Sequence, residues 1–200
     1  MIIFDAVVLA GGRGVRLGGV DKATLRLGGS TLLGRALTAV GEARLAVVVG
    51  ASEQALAHIP VTAPPCLAVC EEPRGGGPVA AIAAGLEYVD SSVTVVLACD
   101  MPLITARHIR HLCSHVSGSE PGPDGVLYLD KDGRRQPLAA AYQTEALRRA
   151  LDSIGPPADA AVSKLLERLT MIEVEADAEL TLDCDTWSDV ERCRALVEDL

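Results

Sequence analysis

Short apolar runs rich in β-branched residues recur along the chain at residues 6–9, 45–49, 66–70, 93–98, 126–129 and 171–174. Each has the length and composition of a buried strand. Between them, apolar side chains return at helical spacing: Leu32, Leu33, Ala36, Leu37 and Val40, then Val79, Ile82, Ala83 and Leu86. The same spacing joins Ile104, His108, Leu112 and Cys113, and later Leu147, Leu151 and Ile154. This alternation predicts an α/β fold of three layers, a mainly parallel sheet between helices on both faces. One stretch breaks the rule. Asp130-Lys131-Asp132-Gly133 reads as a turn between Leu127-Tyr128-Leu129 and the run 137–142, so an antiparallel hairpin should make the sheet mixed. Ligands of such open sheets bind beyond the carboxyl ends of the strands. The loops after Leu9, Cys70 and Ala98 are therefore the ones to read for chemistry.

Residues 9–22 run Leu-Ala-Gly-Gly-Arg-Gly-Val-Arg-Leu-Gly-Gly-Val-Asp-Lys. Gly11, Gly12, Gly14, Gly18 and Gly19 let the backbone turn sharply and bring its amides close to an anion. Arg13, Arg16 and Lys22 add positive charge, the guanidinium groups suited to bidentate phosphate contacts and the ammonium to a point contact. Spacing excludes the two familiar nucleotide loops. The dinucleotide fingerprint needs a third glycine where Leu17 stands, and the P-loop needs Gly-Lys-Ser/Thr where Asp21-Lys22-Ala23 stands. The loop must hold phosphate in another geometry.

The second loop, Glu71-Glu72-Pro73-Arg74-Gly75-Gly76-Gly77-Pro78, leads into an alanine-rich helix whose first turn suits Pro78. Free amides there can hold a base edge or a phosphate. In the third, Cys99-Asp100-Met101-Pro102, Asp100 ends the most apolar strand and offers a hard oxygen donor. Mg²⁺ commonly takes one or two such carboxylates together with substrate phosphates. Asp183 and Asp185 fall on one face of an extended segment and are the candidate partners of Asp100. Thr186 and Asp189 just beyond them read as a helix cap. His108, His111 and His115 share a helical face, but among Arg107 and Arg110 they read as a solvated surface rather than a metal array.

At 200 residues and 49% hydrophobic content, the chain can bury one full core, so residues 1–200 are expected to form a single domain. A formal net charge of −9 argues against a nucleic acid partner, whose backbone needs a basic face. Residues 1–35 nevertheless hold five cations against two carboxylates, a local positive surplus suited to a small polyanion. No apolar stretch is long enough to span a membrane, and Met1-Ile2-Ile3-Phe4-Asp5 lacks a basic leader, so a cytoplasmic protein without a membrane partner is expected. The six cysteines include no Cys-x-x-Cys pair and are expected to be reduced and mostly buried.

The glycine loop resembles the Leu-Ala-Gly-Gly-x-x-x-Arg-Met-Gly-x-x-Asp-Lys signature of nucleotidyltransferases, and most closely that of molybdenum cofactor guanylyltransferases. Leu17 stands in place of the usual Met. Further matches follow in order over nearly the whole chain. The Gly-Pro segment at Gly77-Pro78 is one, with Glu72, or Glu71 after a one-residue shift, in place of an Asp. Cys99-Asp100-Met101-Pro102 is another, and 183–189 a third, with Trp187 where Pro is usual. Arg134-Arg135-Gln136-Pro137-Leu138 is similar to the strand lining the acceptor side, Gln136 replacing His. The resemblance implies a Rossmann-like nucleotidyltransferase fold and Mg²⁺-dependent transfer of GMP from GTP to molybdenum-molybdopterin, with pyrophosphate leaving. It implies that Leu9, Ala10, Gly11, Gly12, Lys22, Glu72 and Asp100 bind the nucleotide, that Arg16, Lys22 and Asp100 act in catalysis, and that Asp100 with Asp183 or Asp185 holds the metal. Arg134 or Arg135 would hold the acceptor phosphate. Transient contact with molybdoenzymes or cofactor-synthesis proteins would fit such a product. CTP or another triphosphate with a different phosphorylated acceptor, or a non-catalytic cofactor-delivery protein, are the competing readings.

Overall fold

The computed structural model describes residues 2–12, 14–116, 122–177 and 179–198. Nine strands and seven helices alternate within them. They begin with β1 (Phe4–Leu9), β2 (Arg26–Leu27), β3 (Ser30–Thr31), α1 (Leu32–Ala39), β4 (Ala46–Val49), α2 (Glu53–Leu56), β5 (Cys66–Val69) and α3 (Gly77–Leu86). They continue with β6 (Val93–Ala98), α4 (Ala106–Val116), β7 (Gly125–Leu129), β8 (Arg135–Gln143), α5 (Thr144–Ile154), α6 (Val162–Leu166), β9 (Met171–Glu175) and α7 (Trp187–Glu198). Seven strands form one sheet in the order β5-β4-β1-β6-β8-β7-β9, and β2 pairs with β3 apart from it. No helix among the described residues is long and apolar enough to cross a membrane.

β1 lies between β4 and β6 and runs parallel to both. Its two faces fill different cores. Ala6 and Val8 meet Leu33 and Leu37 of α1 and Ile109 and Leu112 of α4. Val7 and Leu9 face the side that holds Ile82 and Leu86 of α3, Leu147 of α5 and Leu165 of α6. A strand covered on both sides has no polar face, which is why these strands read as continuous apolar runs rather than alternating ones. β8 is antiparallel to β6 and β7, so the sheet is mixed as the Asp130 turn predicts. The Asp130 carboxylate closes that turn by accepting from the Asp132 and Arg134 amides at 2.9 and 2.8 Å.

A third, smaller core was not legible in the periodicity. Leu17, Leu27, Leu32, Cys184, Val190 and Cys193 pack together. They come from the glycine loop, the β2–α1 segment, the 183–185 stretch and α7, so burial of a few side chains docks the C-terminal region against the first loop. That docking brings Asp185 to Lys22.

Candidate active site

The loops after β1, β4, β5 and β6 open on one end of the sheet and wall a cleft of about 800 Å³. Gly11, Gly12 and Lys22 contribute from the first loop, Glu71, Arg74, Gly75, Gly77 and Pro78 from the loop after β5, and Asp100 and Met101 from the loop after β6. Gln136, Pro137 and Leu138 of β8 and Val162 of α6 form the opposite wall.

Two glycines set the shape of the first loop. Gly14 has φ +49°, and a Cβ there would lie 2.2 Å from the Val20 carbonyl oxygen. Its own carbonyl accepts from the Leu17 and Gly19 amides at 2.9 and 3.0 Å, which closes the loop over the buried Leu17 side chain. Gly50, with φ +77°, backs onto the loop so closely that a Cβ would lie 3.0 Å from Gly11 Cα. Any side chain at either place collides with backbone, so the loop's path depends on glycine there. Arg13 lies outside the described residues.

Asp21 aims Lys22. One of its oxygens accepts from the Ala23 amide at 3.0 Å, capping a turn of 3₁₀ helix over Lys22–Thr24, and the other accepts from the Ser52 hydroxyl at 2.5 Å. The ammonium of Lys22 then lies between two carboxylates, 3.1 Å from Asp100 Oδ2 and hydrogen-bonded to Asp185 Oδ1. Burial alone would lower the Lys22 pKa, but Asp185 and Asp100 outweigh it and hold the amine protonated above its ordinary range. Arg16 donates to the other Asp185 oxygen at 3.2 Å and is otherwise exposed. The Asp100 carbonyl accepts from the Cys184 amide at 3.0 Å, splicing the C-terminal segment to the end of β6. Thr186 and Asp189 cap α7 reciprocally: the Asp189 carboxylate accepts from the Thr186 amide at 2.8 Å, and Thr186 Oγ1 accepts from the Asp189 amide at 3.3 Å.

Asp183 opens on the cleft, whereas Asp185 faces Lys22 and Arg16. Partial burial, then the charges of Asp185 and Asp100, raise the Asp183 carboxyl above the usual range. Three carboxylates thus share this end of the cleft with one partly buried ammonium. Among the described residues no three His, Cys, Asp or Glu side chains gather tightly enough to cage a metal ion. The donor set still suits Mg²⁺, because that ion keeps waters and substrate oxygens and needs only one or two carboxylates. The Lys22 ammonium between Asp100 and Asp185 shows that these oxygens already converge on a cation.

Several expected placements change. Glu72 is exposed and is not a cleft-lining residue; Glu71 takes that position. One Glu71 oxygen accepts from the Gly75 amide at 2.8 Å and the other is buried without a partner. The one-residue shift follows from the turn: the carboxylate directly after Cys70 folds back over the loop, leaving the next to project outward. Arg134 is exposed in the hairpin turn and Arg135 pairs with Glu173 at 2.6 Å, so neither lines the cleft. Gln136 does, donating to Asp130 at 3.2 Å. The positive surplus of residues 1–35 is also partly structural. Arg26 and Arg35 donate to the Gly29 and Pro102 carbonyls at 3.0 Å each. His108 accepts from the Thr105 amide at 3.1 Å at the start of α4, and His115 Nδ1 lies 2.9 Å from the His111 carbonyl. Four cysteines are buried, while Cys66 and Cys70 are exposed. Cys99, beside Asp100, is fully buried and its thiol is pushed far above the ordinary range, which removes it as a nucleophile. Sequence reasoning passed over Arg74, although a lone arginine inside a glycine-rich, strand-to-helix loop was the available signal.

Fold and cleft together are those of a nucleotidyltransferase. The chain belongs to the MobA-like NTP transferase domain family, whose model matches residues 6–174. It is 35% identical over 156 residues to the molybdenum cofactor guanylyltransferase of Acidiphilium cryptum, a match covering 76% of this chain and 74% of that one. Over 201 residues it is 29% identical to a protein of Natronomonas pharaonis named "Probable molybdenum cofactor guanylyltransferase", covering 94% and 95% of the two chains. The fold matches the crystal structure of molybdopterin-guanine dinucleotide biosynthesis protein A from Archaeoglobus fulgidus with a TM-score of 0.73 at 23% identity, over 98% of this chain and 100% of that one.

Proposed function

We propose that this enzyme transfers GMP from GTP to a molybdenum-molybdopterin phosphate, releasing pyrophosphate, and that it does so with Mg²⁺ in the cytoplasm. The observation that carries the reading is the convergence of Lys22, Asp100 and the 183–185 carboxylates beside an open glycine loop. A phosphate acceptor is already ionised, so no general base or covalent nucleophile is required. The work is alignment and charge neutralisation.

Backbone at Leu9, Ala10, Gly11 and Gly12 receives the nucleotide, and Lys22 with Arg16 meets the charge of the triphosphate and of the departing pyrophosphate. Asp100, helped by Asp183 or Asp185, would hold Mg²⁺. When bound, the ion would supply neutralisation of the triphosphate charge. The acceptor enters along Gln136, Pro137 and Leu138, on the β8 side of Asp100. An oxygen of its phosphate bonds to the α-phosphorus as the bridge to the β-phosphate breaks. Glu71 accepts from N1 and N2 of guanine, through the oxygen that lacks a partner within the protein. Molybdoenzymes or cofactor-synthesis proteins would take the product by transient contact.

Incubation of the protein with Mg²⁺, molybdopterin and GTP, CTP, ATP or UTP in turn, followed by mass spectrometry, tests the reading. The expected product is the guanine dinucleotide with stoichiometric pyrophosphate. A cytosine dinucleotide in its place, or no dinucleotide with any triphosphate, overturns it.

A further inference from the structure

We propose that Arg74 reads the base of the donor nucleotide, its guanidinium donating to O6 and N7 of guanine while Glu71 accepts from the neighbouring N1 and N2 groups. Arg74 has this role only if GTP is the donor proposed above.

Arg74 lines the cleft, yet among the described residues its guanidinium makes neither a hydrogen bond nor an ion pair. Among the described residues, the arginines that follow β1 in the chain are committed: Arg16 to Asp185, Arg26 to Gly29 and Arg35 to Pro102. A cation left free on a cleft wall faces a ligand or water. Its position in the sheet says which part of a ligand. Phosphate groups belong at the β1 loop beside Lys22 and Asp100, whereas Arg74 follows β5, two strands away across β4. The two strands themselves stand about 10 Å apart, which leaves room for a ribose and base to extend from the phosphates toward the Arg74 loop.

The local chemistry fits a purine with one particular edge. Gly75 and Gly77 bare the backbone beside Arg74, and Glu71 lines the same cleft with Gly50 and Gly11 packed behind it, a Cβ on Gly50 lying 3.0 Å from Gly11 Cα and 3.4 Å from Glu71 Oε2. That oxygen is buried and unpartnered, so it calls for a donor from the ligand. Guanine presents N1–H and N2–H₂ donors directly beside O6 and N7 acceptors, matching a carboxylate and a guanidinium held three residues apart in one loop. Arginine bidentate to O6 and N7 is a favoured pairing on geometric grounds. Adenine sets an amino donor where the guanidinium needs an acceptor, and cytosine has no N7, so both leave a charged group poorly paired.

Equilibrium binding of GTP, 7-deaza-GTP and ITP to the wild type and to Arg74→Ala separates the contacts, because 7-deaza-GTP lacks N7 and ITP lacks the 2-amino group. The wild type should bind 7-deaza-GTP several-fold more weakly than GTP, because one of the two legs of the contact is lost and a C–H faces the guanidinium in place of N7. Arg74→Ala should lose roughly ten-fold for GTP, since both legs go, lose clearly less for 7-deaza-GTP, where only the O6 leg remains to be lost, and keep its full penalty with ITP. Arg74→Lys, retaining charge without the planar fork, should recover little of the loss. Equal weakening of GTP and 7-deaza-GTP by Arg74→Ala would assign the guanidinium to phosphate or ribose and overturn the proposal, as would unchanged affinity for GTP. Binding of CTP in preference to GTP by the wild type refutes the donor reading itself and is seen before any variant is made.

Discussion

Two ion-pair clusters stand at opposite ends of the central strands, and they are built on opposite plans. At the amino end, Asp5 of β1 is fully buried, and one of its oxygens accepts from Arg44 at 2.7 Å and from the Asp90 and Ser91 amides at 2.8 and 2.9 Å. Burial works against its charge, but the Arg44 hydrogen bond and the two amides overcome it and lower the carboxyl below its ordinary range. At the carboxyl end, Asp100, Asp183 and Asp185 crowd around Lys22, and Asp183 is shifted the other way. Donors gathered on one carboxylate pin the crossover between strands. Carboxylates gathered beyond what one ammonium can neutralise store unfavourable charge that a cation or a phosphate-bound ion relieves.

The sharpest break between the two ends is expected from Lys22→Ala. Turnover should fall by about 10²–10³-fold, the scale of losing one donor to developing transition-state charge, out of proportion to the modest drop in melting temperature caused by leaving Asp100 and Asp185 without their ammonium. Pyrophosphate release and a thermal melt on the same preparation check both halves. Near-normal transfer by the folded variant would reduce Lys22 to a structural counter-charge and erase the contrast.

Asp5→Ala should do the reverse. Two amides and a guanidinium lose their acceptor, at a cost of about 3 kcal/mol in stability, with turnover per folded molecule unchanged. The pH dependence has a definite sign. Because the folded carboxyl is more acidic than the unfolded one, its stabilisation is complete above the ordinary value of 3.8 and is lost as pH falls through the lowered folded value. Denaturant melts of wild type and Asp5→Ala should therefore converge on acidification. A gap that stays constant down to the acid limb would show that Asp5 contributes packing rather than charge.

Legibility in the sequence follows the same division. The sheet and its flanking helices could be read because two-sided burial writes itself as apolar runs, as in 93–98, all six of whose residues are buried in β6. The hairpin could be read because Asp130 and Gly133 are demanded by its geometry. Lys22, Asp100 and the Leu-Ala-Gly-Gly loop could be picked out from local pattern alone as residues of strand-end loops, and they do line one cleft. The pairing of Lys22 with Asp185 was not, since 163 positions separate them and the contact depends on a minor core of six buried side chains. Nor could spacing decide between Glu71 and Glu72, because the turn after Cys70 has no period to fix which side chain folds inward. Arg134 and Arg135 misled for a related reason: a charged hairpin turn and a phosphate site have the same composition, and only the ion pair to Glu173 tells them apart.

The smallest effect tests the crowding directly. Asp183→Asn keeps the shape of the cleft wall and removes one of three neighbouring negative charges, so it should raise stability at neutral pH by up to about 0.5 kcal/mol, the usual range for an exposed site. The gain should shrink at high ionic strength, because solvent-exposed like charges are screened within about a Debye length. Asp185→Asn should not stabilise, since Asp185 is already neutralised by Lys22 and Arg16 and its loss removes attraction instead of repulsion. Thermal melts of the two variants at low and high salt separate these cases. If both variants stabilise equally, Asp183 and Asp185 are interchangeable contributors to one negative field; if only Asp183→Asn does, and it also lowers Mg²⁺-dependent turnover, the uncompensated carboxylate is the one that stability yields to function.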